Sequence, residues 1–222
     1  MLHIICNGNP VQLPDGIGLQ DAANQLQPTA SVTIRNGFQT SENCILADGD
    51  SITLIEKGVL PPRDVLEHMM AARHSPKVHE TVRRARVGIA GLGGLGSNIA
   101  AMLARTGVGQ LVLADFDIVE PSNLNRQNYF VSHLGQYKTE ATASLIHQIN
   151  PFISVETHNV RITAENAMDL FADCDVVCEA FDNPVCKAEL VSTLLSESET
   201  IRIVSGSGMA GYGSSNTIVT RK

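Results

Sequence analysis

The first part of the chain alternates apolar and polar positions in short runs around one segment with helical spacing, 19–26. Strands are predicted at 2–6, 11–13, 31–35 and 51–56. Turns are predicted at Asn7-Gly8-Asn9-Pro10 and at Asn36-Gly37, because Asn-Gly pairs favour the tight turns of hairpins. This ββαββ order predicts a small ubiquitin-like β-grasp domain over residues 1–58.

Residues 59–86 are predicted to form a helical linker. Pro61 and Pro62 interrupt the chain, and Asp64 is suited to cap a helix whose apolar positions fall on one face. A second short helix, basic in composition, is predicted to follow and to lead into the rest of the chain.

Strands and helices alternate from residue 87 onwards. Strands are predicted at 87–90, 110–115, 152–157, 174–179, 201–205 and 217–220. Helices are predicted at 94–107, 138–149, 164–171 and 184–197. The alternation predicts an α/β fold over residues 87–222, with a Rossmann-like, doubly wound and mostly parallel sheet.

A glycine-rich turn follows the first of these strands. Gly91, Gly93 and Gly96 fit G-x-G-x-x-G, and Gly94 lies between them. Such glycines allow a tight turn and a close approach to phosphate, and the helix that follows directs its free N–H groups at the anion. Asp115, 19 residues after Gly96, ends the next strand, where its carboxylate can accept hydrogen bonds from ribose hydroxyls. The alternative is a structural turn with a capping aspartate.

Further polar and charged residues follow the ends of later strands. They are Asn123, Arg126, Gln127, Lys138 and Asp182. Arginine and lysine can neutralise phosphoryl oxygens, and a carboxylate near a triphosphate suits Mg²⁺. The alternatives are a solvated salt bridge for Lys138 and a helix cap for Asp182. Because hydride transfer needs no such cluster, the pattern favours an ATP-dependent enzyme over an NAD-dependent oxidoreductase.

Four motifs carry a family resemblance over roughly residues 70–220: GLGGLGSN, LADFDIVEPSNLNRQ, GQYKTE and EAFDN. They resemble the E1-like adenylyltransferases of the ThiF, MoeB and HesA type, and are most similar to the short thiamine-pathway form. The resemblance implies that Asp115 holds the ribose, and that Asn123, Arg126 and Lys138 contact phosphates. It implies that Asp182 coordinates Mg²⁺, directly or through water. Gln127 and Asp117 are placed among the nucleotide-binding residues.

The resemblance implies ATP-dependent adenylation of the C-terminal glycine of a ThiS-like sulfur carrier that ends in Gly-Gly, in thiamine biosynthesis. ATP and Mg²⁺ are the implied cofactors, a sulfur-donor enzyme is an implied further partner, and a homodimer is expected. In the family an arginine before the glycine-rich strand completes the site, and Arg73 is the candidate here. The segment 206–213 is a candidate entrance for the carrier tail, with a plain surface loop as the alternative.

Three features depart from this family. The two CxxC zinc pairs of longer members are absent from the sequence, no cysteine follows Cys186, and the sequence stops where relatives continue. The N-terminal segment resembles the carriers themselves but does not end in Gly-Gly, so a docking, lid or dimerisation role is expected for it rather than a carrier role. These departures keep open a scaffold that binds ATP or a carrier without turnover.

Composition and charge argue against a nucleic-acid-binding protein and against a membrane-spanning one. A net charge of −7 argues against nucleic acid as the main partner. No apolar run approaches the roughly 20 residues that span a bilayer, and no signal peptide is visible, so a cytoplasmic protein is expected. The five cysteines are expected to be reduced, with Cys6, Cys174 and Cys178 as small core residues and no zinc site.

Overall fold

The computed structural model describes residues 1–71 and 76–206 of the chain. Internal contacts divide the chain into two compact units, one ending at Glu80 and the other beginning at Thr81. No helix among the described residues is long and apolar enough to cross a membrane. The strand predicted at 217–220 lies outside the described residues.

Residues 2–55 of the first unit form a five-stranded mixed sheet with one helix packed on it. Its elements are β1 (Leu2–Cys6), β2 (Asn9–Leu13), α1 (Leu19–Leu26), β3 (Val32–Arg35), β4 (Phe38–Gln39) and β5 (Ser51–Ile55). The strand order is β2-β1-β5-β3-β4, with β1 parallel to β5 and the other pairs antiparallel. The apolar face of α1 covers a core formed with the inward positions of β1 and β5. This is the β-grasp arrangement.

Two Asn-Gly pairs form the hairpin turns of this unit. Asn7-Gly8 joins β1 to β2 and Asn36-Gly37 joins β3 to β4, and all four residues have positive φ. Positive φ at both central residues is the signature of the type I′ turn, which asparagine and glycine adopt most easily. The strand β4 was not predicted, because its two residues are both exposed and give no alternating pattern.

Two helices occupy the predicted linker, α2 (Arg63–Ala71) and α3 (Pro76–Arg84). Val65 is buried on α2, in agreement with the predicted apolar face. The division between the two units falls inside α3, between Glu80 and Thr81.

In its described part, residues 81–206, the second unit is an α/β domain with five parallel strands. Its strands are β6 (Arg86–Ala90), β7 (Gln110–Ala114), β8 (Ser154–His158), β9 (Val176–Glu179) and β10 (Arg202–Ser205). Its helices are α4 (Gly96–Thr106), α5 (Lys138–Ile149), α6 (Ala164–Phe171) and α7 (Pro184–Glu197). Two short 3-10 helices, Pro121–Asn123 and Val131–His133, occupy the long loop after β7 and were not predicted.

The strand order β10-β9-β6-β7-β8 places β6 at the centre of the described sheet. From β6 the chain builds outward through β7 to β8, and then crosses over to β9 and continues to β10. The connections that leave the carboxyl ends of β6 and β9 therefore run in opposite directions, one towards β7 and the other towards β10. In doubly wound folds, this switch point is where ligands bind.

Helices cover both faces of this sheet and bury two apolar clusters. One cluster lies between the sheet and α4 and α5, and the other between the sheet and α6 and α7. The second approaches the central strand so closely that a Cβ at Gly88 would lie 2.6 Å from the ring of Phe171. This two-sided burial explains why β6 and β7 are almost continuously apolar.

Candidate functional site

A cavity of about 530 Å³ opens at the switch point of the second unit. Its volume falls within the range typical of small-molecule sites, roughly 300 to 1,000 Å³. Ten residues predicted for the site line it: Gly91, Gly93, Gly94, Asp115, Asp117, Asn123, Gln127, Arg126, Lys138 and Asp182. The fold therefore brings together residues that span more than ninety positions of sequence.

The glycine-rich turn depends on two of its glycines for its shape. Gly91 has a φ of +89°, a conformation that residues with a side chain rarely adopt. A Cβ at Gly96 would lie 1.8 Å from the carbonyl oxygen of Gly91. Gly96 is thus the first residue of α4 and packs directly on the turn, although it does not line the cavity.

Leu92, buried in the middle of this turn, is held through both of its peptide groups. Its N–H donates to Oδ2 of Asp115 over 2.6 Å, and its carbonyl accepts from the hydroxyl of Tyr129 over 2.8 Å. The Tyr129 hydroxyl also contacts Oγ1 of Thr142. The turn is therefore fixed from the end of β7 and from the loop that follows.

The carboxylate of Asp115 is buried and accepts two backbone hydrogen bonds. Besides Leu92, the N–H of Asp117 donates to its Oδ1 over 2.8 Å. Burial penalises the charged form and raises the pKa of Asp115 above its usual range, although both N–H donors oppose the shift. Because each carboxylate oxygen can accept more than one hydrogen bond, the side chain retains capacity for ribose hydroxyls.

Lys138 reaches the cavity because the end of the loop after β7 folds back and pairs with the beginning of the same loop. Ile118 forms an antiparallel bridge with Tyr137, and the Lys138 N–H donates to the carbonyl of Asp117. The ammonium of Lys138 then pairs with Oδ2 of Asp117 over 2.7 Å. The lysine side chain is 7% exposed and the aspartate 48%, so this is a half-buried ion pair and not the solvated salt bridge considered as an alternative.

The middle part of the loop after β7 lies against the glycine-rich turn and the start of α4. Oγ of Ser97 accepts from the N–H of Asn128, and the Asn98 side chain donates to the carbonyl of Gly94. The aliphatic part of Arg126 passes near Gly94, while its Nη1 donates to the Ser122 carbonyl and to Oδ1 of Asn125. These bonds hold the guanidinium at the edge of the cavity.

Asn123 and Gln127 are buried parts of the same loop. Oδ1 of Asn123 accepts from the N–H of Glu120, so its side chain shapes the first 3-10 helix. Oε1 of Gln127 has no hydrogen-bond donor among the described residues. A buried acceptor of this kind is uncommon in folded proteins, and it lies in the wall of a cavity that is suited to a polar ligand.

Asp182 is exposed at the cavity, while its neighbours are fixed. Asn183 caps α7, because its Oδ1 accepts from the N–H groups of Val185 and Cys186. Since Asn183 performs this role, the cap considered as an alternative for Asp182 is wrong. Within the described ranges, the Asp182 carboxylate has no hydrogen bond or ion pair, and it remains available to a ligand.

The described residues contain no group of three or more His, Cys, Asp and Glu side chains that could hold a metal ion. This does not conflict with Mg²⁺, which usually keeps several waters and binds through one or two carboxylates and the phosphates of a substrate. Asp182 fits that pattern as a single protein carboxylate. All five cysteines are free, and Cys6, Cys174 and Cys178 are buried, in agreement with a role in the core.

The structure adds site residues that the sequence pattern did not indicate. Phe116, Val160 and Ile162 form an apolar side of the cavity, and the guanidinium of Arg161 lies 5.7 Å from the centre of the Phe116 ring. Lys187 also lines the cavity. Phe116 lies within the motif LADFDIVEPSNLNRQ, but nothing in that motif indicates its contact with Arg161, 45 residues later.

Two parts of the predicted site fall largely outside the described residues. Arg73 lies within 72–75, and the candidate entrance at 206–213 is described only at Gly206. Gly206 lines the cavity.

Family comparisons agree with this architecture. The sequence profile of the ThiF family matches residues 66–222. The chain belongs to the ThiF family. A second profile, for ThiS-like ubiquitin domains, matches residues 2–58. The ThiF-type α/β domain is therefore preceded by a ThiS-like, ubiquitin-like domain within one chain.

Curated relatives of this ThiF-family chain include activating enzymes of ubiquitin-like proteins. The adenylyltransferase and sulfurtransferase UBA4 of Candida glabrata is 34% identical over 59% of this chain and 30% of its own length. The ubiquitin-like modifier-activating enzyme 5 of Drosophila persimilis is 42% identical over 49% of this chain and 29% of its own. The chain thus spans under a third of the length of these relatives.

Solved structures of similar proteins include the E. coli tRNA N6-threonylcarbamoyladenosine dehydratase TcdA. One of its structures matches with a TM-score of 0.63 and 28% identity, covering 71% of this chain and 66% of that one. TcdA has also been solved in complex with AMP and in complex with ATP.

Proposed function

We propose that the chain binds ATP in this cavity and transfers its adenylyl group to the C-terminal carboxylate of a ubiquitin-like sulfur carrier. The observation that carries the proposal is the meeting of Arg126, Lys138 and Asp182 in one cavity beside the glycine-rich turn. Transfer of an adenylyl group needs cations and a metal-binding carboxylate at the phosphates, whereas hydride transfer does not. The names of the relatives, and the ATP and AMP complexes of TcdA, support it.

The chemistry follows from positioned charges. A carboxylate oxygen of the carrier's terminal glycine forms a bond to the α-phosphorus, the bond from that phosphorus to the bridging oxygen breaks, and pyrophosphate leaves with the electron pair. The nucleophile is already ionised at neutral pH, so no general base is needed. Arg126 and Lys138 would stabilise charge on the phosphoryl oxygens, and the turn would orient the nucleotide.

Asp182 is the residue that would hold Mg²⁺ in this proposal. When bound to the phosphates, the ion would neutralise charge on the departing pyrophosphate. Asp115 would accept hydrogen bonds from the ribose, as its position at the end of β7 suggests.

The apolar side of the cavity suits the nucleobase. Phe116 is 55% exposed and offers a ring face that is already close to the Arg161 cation. We expect Phe116→Ala to weaken ATP binding about tenfold, since stacking of a base on an aromatic ring is worth ~1–3 kcal/mol. Calorimetric titration with ATP and with inorganic triphosphate checks this: the affinity for triphosphate should be unchanged. Equal losses for both ligands would contradict a role at the base.

We propose a ThiS-like protein ending in Gly-Gly as the carrier, with thiamine synthesis as the setting. The support is the presence of a ThiS-like domain in the same chain, which indicates a lineage shared with such carriers. That domain continues into Val59 and Leu60 without a free Gly-Gly end, so it would dock or recruit a separate carrier. A homodimer in which Arg73 completes the partner's site, and a sulfur donor, belong to the same proposal.

The decisive experiment is exchange of labelled pyrophosphate into ATP in the presence of a Gly-Gly-ended carrier. Carrier-dependent exchange is expected, and Asp182→Ala should reduce it at least about a hundredfold, because the ion would lose the protein ligand that this proposal assigns to it. Asp173→Ala is the matched control, since Asp173 is an exposed carboxylate that does not line the cavity. It should retain full exchange.

Two other results would replace this proposal. ATP binding without exchange, for any Gly-Gly-ended carrier, would favour a scaffold that binds without turnover. Tight NAD binding with no affinity for ATP would favour an oxidoreductase.

Thiol labelling gives a test that does not depend on turnover. Burial raises the pKa of Cys174 to about 11 and also raises the pKa of Cys6 and Cys178, so these thiols should react slowly with iodoacetamide at pH 7.5. Cys186 is half-buried and lines the cavity. We expect saturating ATP to slow labelling of Cys186 at least about fivefold relative to Cys44, which lies in the other unit. Equal rates with and without ATP, read by peptide mass spectrometry, would place the nucleotide elsewhere.

A further inference from the structure

An ion pair with a fully buried carboxylate lies at one side of the cavity, and the adenylation chemistry proposed above does not use it. Glu179, the last residue of β9, has a fully buried side chain and pairs with Lys187 of α7. Its Oε2 also accepts from the hydroxyl of Ser205 over 2.6 Å, and its Oε1 accepts from the N–H of Phe181 over 2.7 Å. Lys187 in turn donates to the carbonyl of Gly206.

Each of these bonds fixes a different segment at the edge of the cavity. The bond to Phe181 fixes the Ala180–Phe181 peptide, one peptide before the one that leads into Asp182, while the Asn183 cap fixes the start of α7 just after Asp182. The bonds to Ser205 and from Lys187 to Gly206 fix the end of β10. A single carboxylate thus links the loop of Asp182, the first turns of α7 and the end of β10.

The charges of this cluster are balanced within it. A buried carboxylate is tolerated only when it is paired and its oxygens accept hydrogen bonds, and here one ammonium, one hydroxyl and one peptide N–H satisfy it. The pair therefore adds little net field to the cavity. Its contribution is geometric, and it acts on the side opposite Asp117 and Lys138, which belong to the loop beyond the other half of the sheet.

We propose that Glu179 is a positioning residue for the acceptor side of the site. With Lys187 and Ser205 it fixes Asp182 and the end of β10 in the geometry that receives Mg²⁺ and a carboxylate-terminated peptide. The inference rests on the proposed adenylation. It separates the site into a nucleotide side, set by the glycine-rich turn and Asp115, and an acceptor side, set by Glu179.

The test compares full-length variants that weaken the cluster to different degrees. Ser205→Ala removes one hydrogen bond, Glu179→Gln removes the charge, and Lys187→Met and Lys187→Arg form a matched pair in which only arginine can still pair with Glu179. Glu156→Gln is the control, because Glu156 is ion-paired to Arg86 in the same sheet but does not line the cavity. If Glu179→Gln does not fold, Ser205→Ala and the Lys187 pair carry the test.

Three quantities are measured: the Kd of ATP without Mg²⁺, the Mg²⁺ concentration that gives half-maximal tightening of ATP binding, and the KM of the carrier in pyrophosphate exchange. In Glu179→Gln, we expect the Kd of ATP without Mg²⁺ to change less than about twofold, because Glu179 does not line the cavity. In both Glu179→Gln and Lys187→Met, we expect the half-maximal Mg²⁺ concentration and the KM of the carrier to rise about tenfold, with recovery in Lys187→Arg. Ser205→Ala should shift the same two quantities by a smaller factor.

If the Kd of ATP, the half-maximal Mg²⁺ concentration and the KM of the carrier all rise by the same factor, the cluster is a general structural support and the inference is overturned. Folded variants with wild-type values of all three quantities would also overturn the inference. If the wild type shows no exchange at all, adenylation fails instead, and the Mg²⁺ dependence of ATP binding still decides whether Glu179 positions Asp182.

Discussion

Gly96→Ala is expected to destabilise the second unit strongly and to abolish nucleotide binding. The added Cβ would lie 1.8 Å from the Gly91 carbonyl oxygen and 2.9 Å from its carbon. Both atoms are backbone, so no change of side-chain rotamer can relieve the overlap, and the turn must separate from α4. We expect a loss of about 3 kcal/mol or more in the free energy of unfolding. Denaturant unfolding and ATP titration measure the two effects.

Gly93→Ala is the matched control for this substitution. Gly93 lies in the same turn, but a Cβ there would meet no atom within 4 Å, and its φ is not positive. The free energy of unfolding of Gly93→Ala should stay within about 0.5 kcal/mol of the wild-type value. Because Gly93 lines the cavity, ATP affinity should still fall. A wild-type unfolding midpoint for Gly96→Ala would show that the contact between the turn and α4 is not required.

Lys138→Ala should reduce pyrophosphate exchange by about a hundred- to a thousandfold, the loss typical when a group that stabilises transition-state charge is removed. Stability should change much less. Asp117, the ion-pair partner, is 48% exposed, so water can solvate its carboxylate once the ammonium is absent. The measurement is pyrophosphate exchange in the presence of the Gly-Gly-ended carrier, alongside a thermal unfolding scan.

Lys138→Arg separates charge from shape. Arginine keeps the positive charge but replaces a point donor with a planar one, and partial activity is expected. NAD affinity, measured in parallel, should be negligible in the wild type and in both variants. A Lys138→Ala protein with near-normal exchange would remove the lysine from the mechanism.

The sequence predicted most elements of both units, and the bounds of the helix at 19–26 in the first unit agree with the structure at both ends. The helices at 138–149, 164–171 and 184–197 begin and end where the structure has them. Local signals were sufficient there, because α7 begins with a capping asparagine and a proline, and α6 begins with a capping threonine. The helix predicted at 94–107 begins two residues later, at Gly96, because the glycine-rich turn occupies the preceding residues.

The site residues that sequence reasoning missed are those defined by long-range contacts. Glu179 stands at the end of an apolar strand and Lys187 eight residues later, and nothing local indicates that they pair. The same holds for Phe116 and Arg161. By contrast, the motif residues were predicted together because each follows the end of a strand, and parallel strands bring those ends to one edge.

The central position of β6 has a consequence for how the chain is synthesised. β6 pairs on one side with β7, which follows it within about twenty residues, and on the other with β9, which begins at Val176. At roughly 5–20 residues per second, a ribosome needs about 4 to 17 seconds to reach β9 after completing β6. During that interval an apolar strand edge is unpaired while Asp182 and Glu179 do not yet exist. The nascent chain is therefore expected to need shielding at this stage, and nucleotide can assist folding only after the second half of the sheet has emerged.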